Sequence, residues 1–309
     1  MTPCLLIAGP TAAGKTALSI HAAHQLDGEI INADSMQIYA GLPLITAQPD
    51  PEERARVPHH LFGVWDAGFR GSVGDWTRAA LEEIGAVRAR GRTPILVGGT
   101  GMYFKALTQG LAPVPEIDEV SRGKAETLLA TGGTQALRAE AERFDPASTA
   151  RVAAADQQRL QRIVEVGYAT GRALSDFHVE TAPLLPEGDW FGIVLDPERE
   201  ALYARIEQRF DQMVERGALA EAQAYAERGL DPALPASKAL GLPPLMSHLD
   251  GEMQLEQATE LAKRDSRRYA KRQMTWFRNQ HADWPRLRAL EPAAACRELD
   301  AILAEADLI

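Results

Sequence analysis

Along the first third of the chain, short apolar runs alternate with stretches of helical periodicity. Cys4-Leu5-Leu6-Ile7-Ala8 is an apolar run of strand length, after which Ala17, Leu18, Ile20 and Leu26 recur at helical spacing and stop before Asp27-Gly28. Glu29-Ile30-Ile31 reads as a second strand. The segment from Gly41 to Gly74 is rich in Pro and Gly and reads mostly as loop, with one short strand near Leu61-Phe62-Gly63-Val64-Trp65. Ser72 followed by Asp75 has the form of a capping box, and Trp76, Ala79, Ala80, Ile84 and Val87 continue a helical stripe up to Gly91. Pro94-Ile95-Leu96-Val97 is then a buried strand that ends in Gly98-Gly99-Thr100-Gly101, with a helix from Met102. Strands and helices in alternation predict an α/β fold whose parallel sheet is flanked by helices.

From Pro113 to about Gly188 the pattern turns helical, entered at Pro113 and Pro115 and left at Pro183 and Pro186. This predicts an α/β core of residues 1–112 and 189–309, interrupted by a helical insertion domain of residues 113–188. Inside the insertion a helix opens at Asp156 and stops at Gly171. Phe191-Gly192-Ile193-Val194-Leu195 returns to the sheet, and a helix from Pro197 turns Leu202, Ile206, Phe210 and Met213 inward. The last large helix spans about 255–279, with Leu255, Ala258, Leu261, Ala262 and Tyr269 as its apolar stripe.

The chemistry concentrates between the first strand and the first helix, in Gly9-Pro10-Thr11-Ala12-Ala13-Gly14-Lys15-Thr16. Gly, four residues, then Gly-Lys-Thr is the phosphate-cradling pattern, and its position between strand and helix makes the sheet P-loop NTPase-like. Backbone N–H groups of Gly9, Thr11, Ala12, Ala13 and Gly14 would close around phosphate oxygens, Lys15 would neutralise charge and the Thr16 hydroxyl would hold Mg²⁺. The second strand delivers Asp34 to its carboxyl end, where ligands of open α/β sheets lie, so Asp34 faces the crevice of Lys15; a helix cap or turn acid is the bland reading. No aspartate follows the Val97 strand, as an ATPase or GTPase would place there; the Thr100 hydroxyl is the polar group at that crevice, or simply part of a tight turn. Arg205 and Arg209, one helical turn apart, would reach a pyrophosphate or pair with Glu198 or Glu207. Gln158, Arg159 and Arg162 share a helix face suited to phosphates and base edges, against the rival of an ordinary solvated face. His59-His60 reads as a loop pair.

Composition narrows this. With 309 residues and 45% apolar positions the chain is long enough for a sizeable core. No apolar run spans a bilayer and Met1-Thr2-Pro3 leads into a strand without a signal peptide, so the expected address is cytoplasmic. The two cysteines, Cys4 and Cys296, cannot form a thiolate metal site. The formal charge of −10 argues against a nucleic-acid partner, but between Lys263 and Arg278 seven basic residues meet the single acid Asp265. Arg268, Lys271 and Arg272 there, beside Tyr269, Trp276 and Phe277, suit a nucleic-acid backbone with stackable bases.

Several stretches together, Gly9 to Thr16, Asp34-Ser35-Met36-Gln37-Ile38-Tyr39, Thr46-Ala47-Gln48-Pro49, Gly98-Gly99-Thr100-Gly101-Met102-Tyr103, Gln158-Arg159-Leu160-Gln161-Arg162 and Tyr269 to Phe277, resemble the bacterial tRNA dimethylallyltransferases over nearly the whole chain. The resemblance implies transfer of a dimethylallyl group from its diphosphate to the exocyclic amine of the adenosine beside the tRNA anticodon, with Mg²⁺ as cofactor. It implies that Asp34 is the general base, that Thr100 hydrogen-bonds the oxygen between prenyl carbon and diphosphate, and that the phosphate loop takes the leaving group. Its tRNA contacts carry over to Asp34, Ser35, Met36 and Gln37, to Gln158, Arg159, Leu160, Gln161 and Arg162, and to Thr100 and Arg122. The partners so implied are tRNA and dimethylallyl diphosphate, without a membrane, for a monomeric enzyme. Ser237-Lys238-Ala239-Leu240-Gly241-Leu242 departs from the family's usual Gly-Tyr pair, and Ser266 stands for a usual threonine. An isopentenyltransferase acting on free AMP or ATP, a small-molecule kinase and a non-catalytic tRNA-binding module are the alternatives.

Overall fold

The computed structural model describes residues 3–178 and 181–309. Six strands, β1 (Cys4–Ala8), β2 (Gly28–Asn32), β3 (His59–His60), β4 (Thr93–Gly98), β5 (Trp190–Leu195) and β6 (Arg286–Leu287), form one sheet in the order β3-β2-β4-β1-β5-β6. All its pairings are parallel. β1 lies between β4 and β5, so the chain leaves it in one direction and returns on the other side, and the crevice for a ligand opens at its carboxyl end.

The thirteen helices are α1 (Lys15–Gln25), α2 (Pro51–Arg56), α3 (Val73–Ala89), α4 (Gly101–Gln109), α5 (Glu119–Phe144, broken at Gly133), α6 (Pro146–Thr149), α7 (Gln157–Thr170), α8 (Leu174–His178), α9 (Arg199–Glu215), α10 (Ala218–Ala226), α11 (Leu242–Leu249), α12 (Leu255–Gln280) and α13 (Pro292–Glu305), counted among the described residues. Among those residues no helix is long and apolar enough to cross a membrane.

Alternation along the strands divides the core into two layers. Leu6, Ala8, Ile31, Leu96 and Val194 face Trp76 and Ile84 of α3, Phe104 of α4 and Phe277 of α12. Leu5, Ile7, Ile30, Ile95 and Ile193 face Leu18 of α1, Leu202 and Ile206 of α9, Met274 of α12 and Leu299 of α13. Because both faces are covered, the strands read as continuous apolar runs rather than as alternating ones. The capping box of Ser72 and Asp75 starts α3, and Asp156 and a left-handed Gly171 bound α7 as their sequence signals require.

Two compact units result, Met1–Thr108 with Leu185–Ile309, and Gln109–Leu184. The return to the first unit comes at Leu185, whose N–H donates to Leu107 O and whose side chain is buried in that unit's core, ahead of residue 189. In the second unit α5 and α7 enclose Ala125, Leu137, Ala141, Leu160, Ile163 and Val164.

The strand expected near Leu61–Trp65 is a correction: β3 is His59–His60, and Trp65 makes only an isolated bridge to Tyr39. The pairing is held by a polar cluster that periodicity cannot reveal. Glu29, buried near the start of β2, accepts from Arg90 Nε (3.0 Å) and Nη2 (2.6 Å) and bonds His60 Nε2 (2.6 Å). The Arg90 bonds, then His60, outweigh burial and hold the Glu29 carboxyl below its ordinary value. A carboxylate with a lowered folded pKa stabilises above the unfolded value and stops doing so as the pH falls. Glu29→Gln should therefore lower the thermal midpoint by about 5 °C at neutral pH. The gap should close as acidification passes the ordinary value of 4.5. A gap independent of pH would assign the loss to packing.

Candidate active site

The loop between β1 and α1 is shaped as an anion nest. Gly14 turns left-handed (φ 88°) and starts α1 without a side-chain cap, so the first N–H groups of the helix point outward. The N–H groups of Ala12, Gly14, Lys15 and Thr16 find no partner among the described residues. Lys15 Nζ folds beneath them and donates to Gly9 O (3.1 Å) and Pro10 O (2.8 Å), which closes the loop around its own cation.

Two arginines complete the positive wall. Arg205 donates to Leu290 O (2.7 Å) and Arg209 to Thr11 Oγ1, and neither pairs with Glu198 or Glu207. Both line one cavity of about 1110 Å³ with Thr11, Lys15, Thr16 and Asp34. Its size is at the upper end for a small-molecule site, larger than a diphosphate with a five-carbon tail requires. Gln212 and Arg216, on the same face of α9, extend the wall and were not evident from sequence.

Asp34 is placed by the end of β2. Asn32 Oδ1 accepts from Asp34 N (2.8 Å), while Asn32 Nδ2 donates to Asp34 O (3.0 Å) and Leu61 O (2.9 Å). Trp76 Nε1, stacked on Tyr103, donates to Asn32 O (2.8 Å). One carboxylate oxygen, Oδ1, accepts from Met36 N (3.0 Å); the other makes no hydrogen bond among the described residues. Thr100 Oγ1 accepts from Ser35 N (2.9 Å) and donates to Ser35 Oγ (3.2 Å), with Tyr269 beside it. Thr100 thus holds the Asp34-Ser35 turn. Gln37 donates to Thr46 O and Ala47 O, so its amide fastens the opposite wall. Met36 packs against the core.

Helix α12 differs from a uniformly basic surface. Lys263 pairs with Asp211 and Glu260, Arg267 with Glu207 and Arg278 with Asp196, acids that the local charge count did not include. Arg264 and Arg268 share Asp265, leaving Lys271, and Arg272 over the Tyr269 ring, as exposed cations without an acidic partner. The buried face is Ala258, Ala262, Ser266, Ala270, Gln273, Met274 and Phe277, so the expected stripe through Leu261 and Tyr269 is rotated. Gln273 was missed as a functional residue because a polar side chain inside an amphipathic helix gives no periodic signal. Leu242 is fully buried, which removes this position from any surface contact.

In the second unit Gln158, Arg159 and Arg162 are exposed on α7, and Arg122 lies near enough to Arg162 for the two charges to repel. Leu160 corrects the expectation of a tRNA contact by all five residues: it is fully buried between α5 and α7. Gln161 donates to Glu165 (3.0 Å).

With this geometry in hand, the comparisons are specific. A family model described as IPP transferase matches residues 37–280. A tRNA dimethylallyltransferase of Maricaulis maris is 64% identical over 303 residues, 98% of each chain, and one from a Caulobacter species is 51% identical over 96% of each. The chain belongs to the tRNA dimethylallyltransferase family. Among solved structures, the full-length tRNA isopentenylpyrophosphate transferase of Bacillus halodurans superposes with a TM-score of 0.70 at 34% identity, covering 100% of this chain and 98% of that one. A eukaryotic dimethylallyltransferase acting on tRNA gives a TM-score of 0.83 at 27% identity, over 99% of this chain and 79% of the other.

For this member of the dimethylallyltransferase family the electrostatics of the nest are testable. Burial pulls the Lys15 ammonium down to about 8, Asp34 opposing and Arg209 adding to the fall. Burial likewise lowers Arg209 to about 10, against Asp34 and with Arg205. A diphosphate in the nest favours protonated Lys15, so affinity falls as the pH rises through the Lys15 value. In Lys15→Arg the guanidinium stays charged. The ratio of the variant's diphosphate affinity to that of the parent, which cancels the ligand's own titration, should be level below about pH 7 and climb above about 8. A level ratio throughout would show that Lys15 does not titrate there.

Proposed function

We propose that this enzyme joins the exocyclic amine of the adenosine 3′ to a tRNA anticodon to the C1 carbon of dimethylallyl diphosphate, releasing diphosphate. The observation that carries the reading is the unpartnered oxygen of Asp34 facing a nest of Lys15, Arg205, Arg209 and free loop N–H groups across one cavity. As the N–C bond forms, the C–O bond to diphosphate breaks and the amine proton passes to the Asp34 carboxylate. An adenine amine is a weak nucleophile, so a positioned base and a stabilised leaving group both contribute. Lys15, Arg209 and the free N–H groups of Ala12, Gly14, Lys15 and Thr16 take up the charge that develops on the diphosphate. Thr100 keeps Asp34 aimed, and its own proton is the donor that a substrate oxygen would compete for against Ser35 Oγ.

Mg²⁺ fits the residues present. No group of three or more His, Cys, Asp or Glu side chains gathers around a point among the described residues, whereas the Thr16 hydroxyl and the Asp34 carboxylate line the same phosphate crevice. That donor set suits a cation held mainly by water and substrate phosphate oxygens. The Thr16 hydroxyl would hold it, and when bound it would supply positive charge against the leaving diphosphate. We place the tRNA backbone on Arg268, Lys271 and Arg272 of α12, and on Arg122, Gln158, Arg159 and Arg162 of the insertion, which we take as residues 113–188. The target base must leave its stack to reach the carboxylate.

Labelled dimethylallyl diphosphate with Mg²⁺ should transfer label to unmodified tRNA and to neither AMP nor ATP; label in the free nucleotides would favour the cytokinin-forming relatives. Asp34→Asn should lower the rate of transfer by about 10²–10⁴-fold and leave tRNA affinity within about threefold. Transfer at the parent rate would remove Asp34 from the proton path.

A further inference from the structure

Helix α12 carries two sets of side chains with different tasks. On its outer side are the exposed Arg268, Lys271 and Arg272. On its inner side Tyr269, Gln273 and Trp276, at spacings of four and three, each meet a different part of the turn after β4: Tyr269 lies beside Thr100, Gln273 bonds Gly99 and Trp276 packs on Gly101. Gln273 alone also reaches the phosphate loop. Its Oε1 accepts from Thr11 N (2.9 Å), and its Nε2 donates to Gly99 O (2.9 Å).

This amide is 5% exposed, so both of its bonds are made without competition from water. Its orientation is fixed, because turning it over would set Oε1 against Gly99 O and Nε2 against Thr11 N–H. Gly99 approaches so closely that a Cβ there would stand 2.1 Å from Gln273 Nε2. The bond to Thr11 N withdraws one loop N–H from the cavity and leaves those of Ala12, Gly14, Lys15 and Thr16 facing it. Thr11 Oγ1 in turn receives Arg209, so one residue of the loop is held from α12 on one side and from α9 on the other.

We infer that Gln273 is a positioning residue which shapes the diphosphate nest and couples it to the tRNA-facing side of α12: tRNA seated on the helix holds the helix in the place that presents Gln273, and Gln273 holds the loop. This rests on the proposal above that α12 receives tRNA. A ligand that orders a shared element makes the second ligand's binding less costly in entropy, and the effect is reciprocal.

Affinity for inorganic diphosphate with Mg²⁺, measured with and without saturating unmodified tRNA, tests this without any turnover. In the parent enzyme tRNA should tighten diphosphate binding by about fivefold or more. Gln273→Met keeps length and loses both bonds; Gly99→Ala displaces the same amide from the opposite side. Both should weaken diphosphate binding by about tenfold and bring the effect of tRNA to within about twofold, at unchanged tRNA affinity. If tRNA does not alter diphosphate affinity in the parent, or alters it equally in folded Gln273→Met or Gly99→Ala, the inference is overturned. A Lys271→Gln, Arg272→Gln double variant with parental tRNA affinity and salt dependence would overturn the docking reading, and the tRNA side of the inference with it. Weakened tRNA binding in that variant alongside intact coupling in the Gln273 and Gly99 variants would overturn the inference alone.

Discussion

Lys15, Arg205 and Arg209 share one cavity with the Asp34 carboxylate. Like charges brought together out of water are costly, and the depressed values of Lys15 and Arg209 record that cost. The surrounding structure offsets it. Carbonyls of Gly9, Pro10 and Leu290 and the hydroxyl of Thr11 accept from the three side chains, the first two and the hydroxyl from the loop between β1 and α1 and the third from just ahead of α13. An arriving diphosphate therefore meets donors already aimed, and its own charge relieves the repulsion among them.

The same logic explains why the carboxylate is anchored so thoroughly. If Asp34 were free to swing onto Lys15 or Arg209 it would neutralise the nest and lose the role toward the amine proposed for it. Asn32 brackets the Asp34 backbone from both sides, Trp76 anchors Asn32, and Met36 N–H takes one carboxylate oxygen. What remains is one oxygen with no partner among the described residues. The ends of β2 and β4 are tied to one another through Thr100 and Ser35, so base and nest share one rigid frame.

Most of this frame was legible in the sequence because it arises from local rules. The apolar runs located β1, β2, β4 and β5, cap signals bounded α3 and α7, and the phosphate-loop spacing located Lys15. What was not legible arises from contacts distant in the chain. β3 is two residues long and depends on the cluster of Glu29, His60 and Arg90, while Gln273 acts on residues 174 and 262 positions away. The charge of α12 misled for a related reason. A window along one helix cannot see Glu207 and Asp211 of α9 or Asp196 beyond β5, which take three of its seven cations.

That pairing reconciles a net charge of −10 with a polyanionic partner. A protein covered in unpaired lysine and arginine would hold RNA anywhere, and affinity for phosphates alone carries no selectivity. Here the acids bound to Lys263, Arg267 and Arg278 cancel cations outside the docking face proposed above, and the acidic remainder would repel a misplaced strand. On α12 itself, Lys271 and Arg272 remain without an acidic partner among the described residues, whereas Arg162 of the insertion pairs with Glu165. Contacts made to so few phosphates are weak in salt and position a strand rather than choose it. On the proposed docking, selection rests on the adenosine that the RNA must offer unstacked to Asp34, because phosphate contacts alone would hold any strand equally.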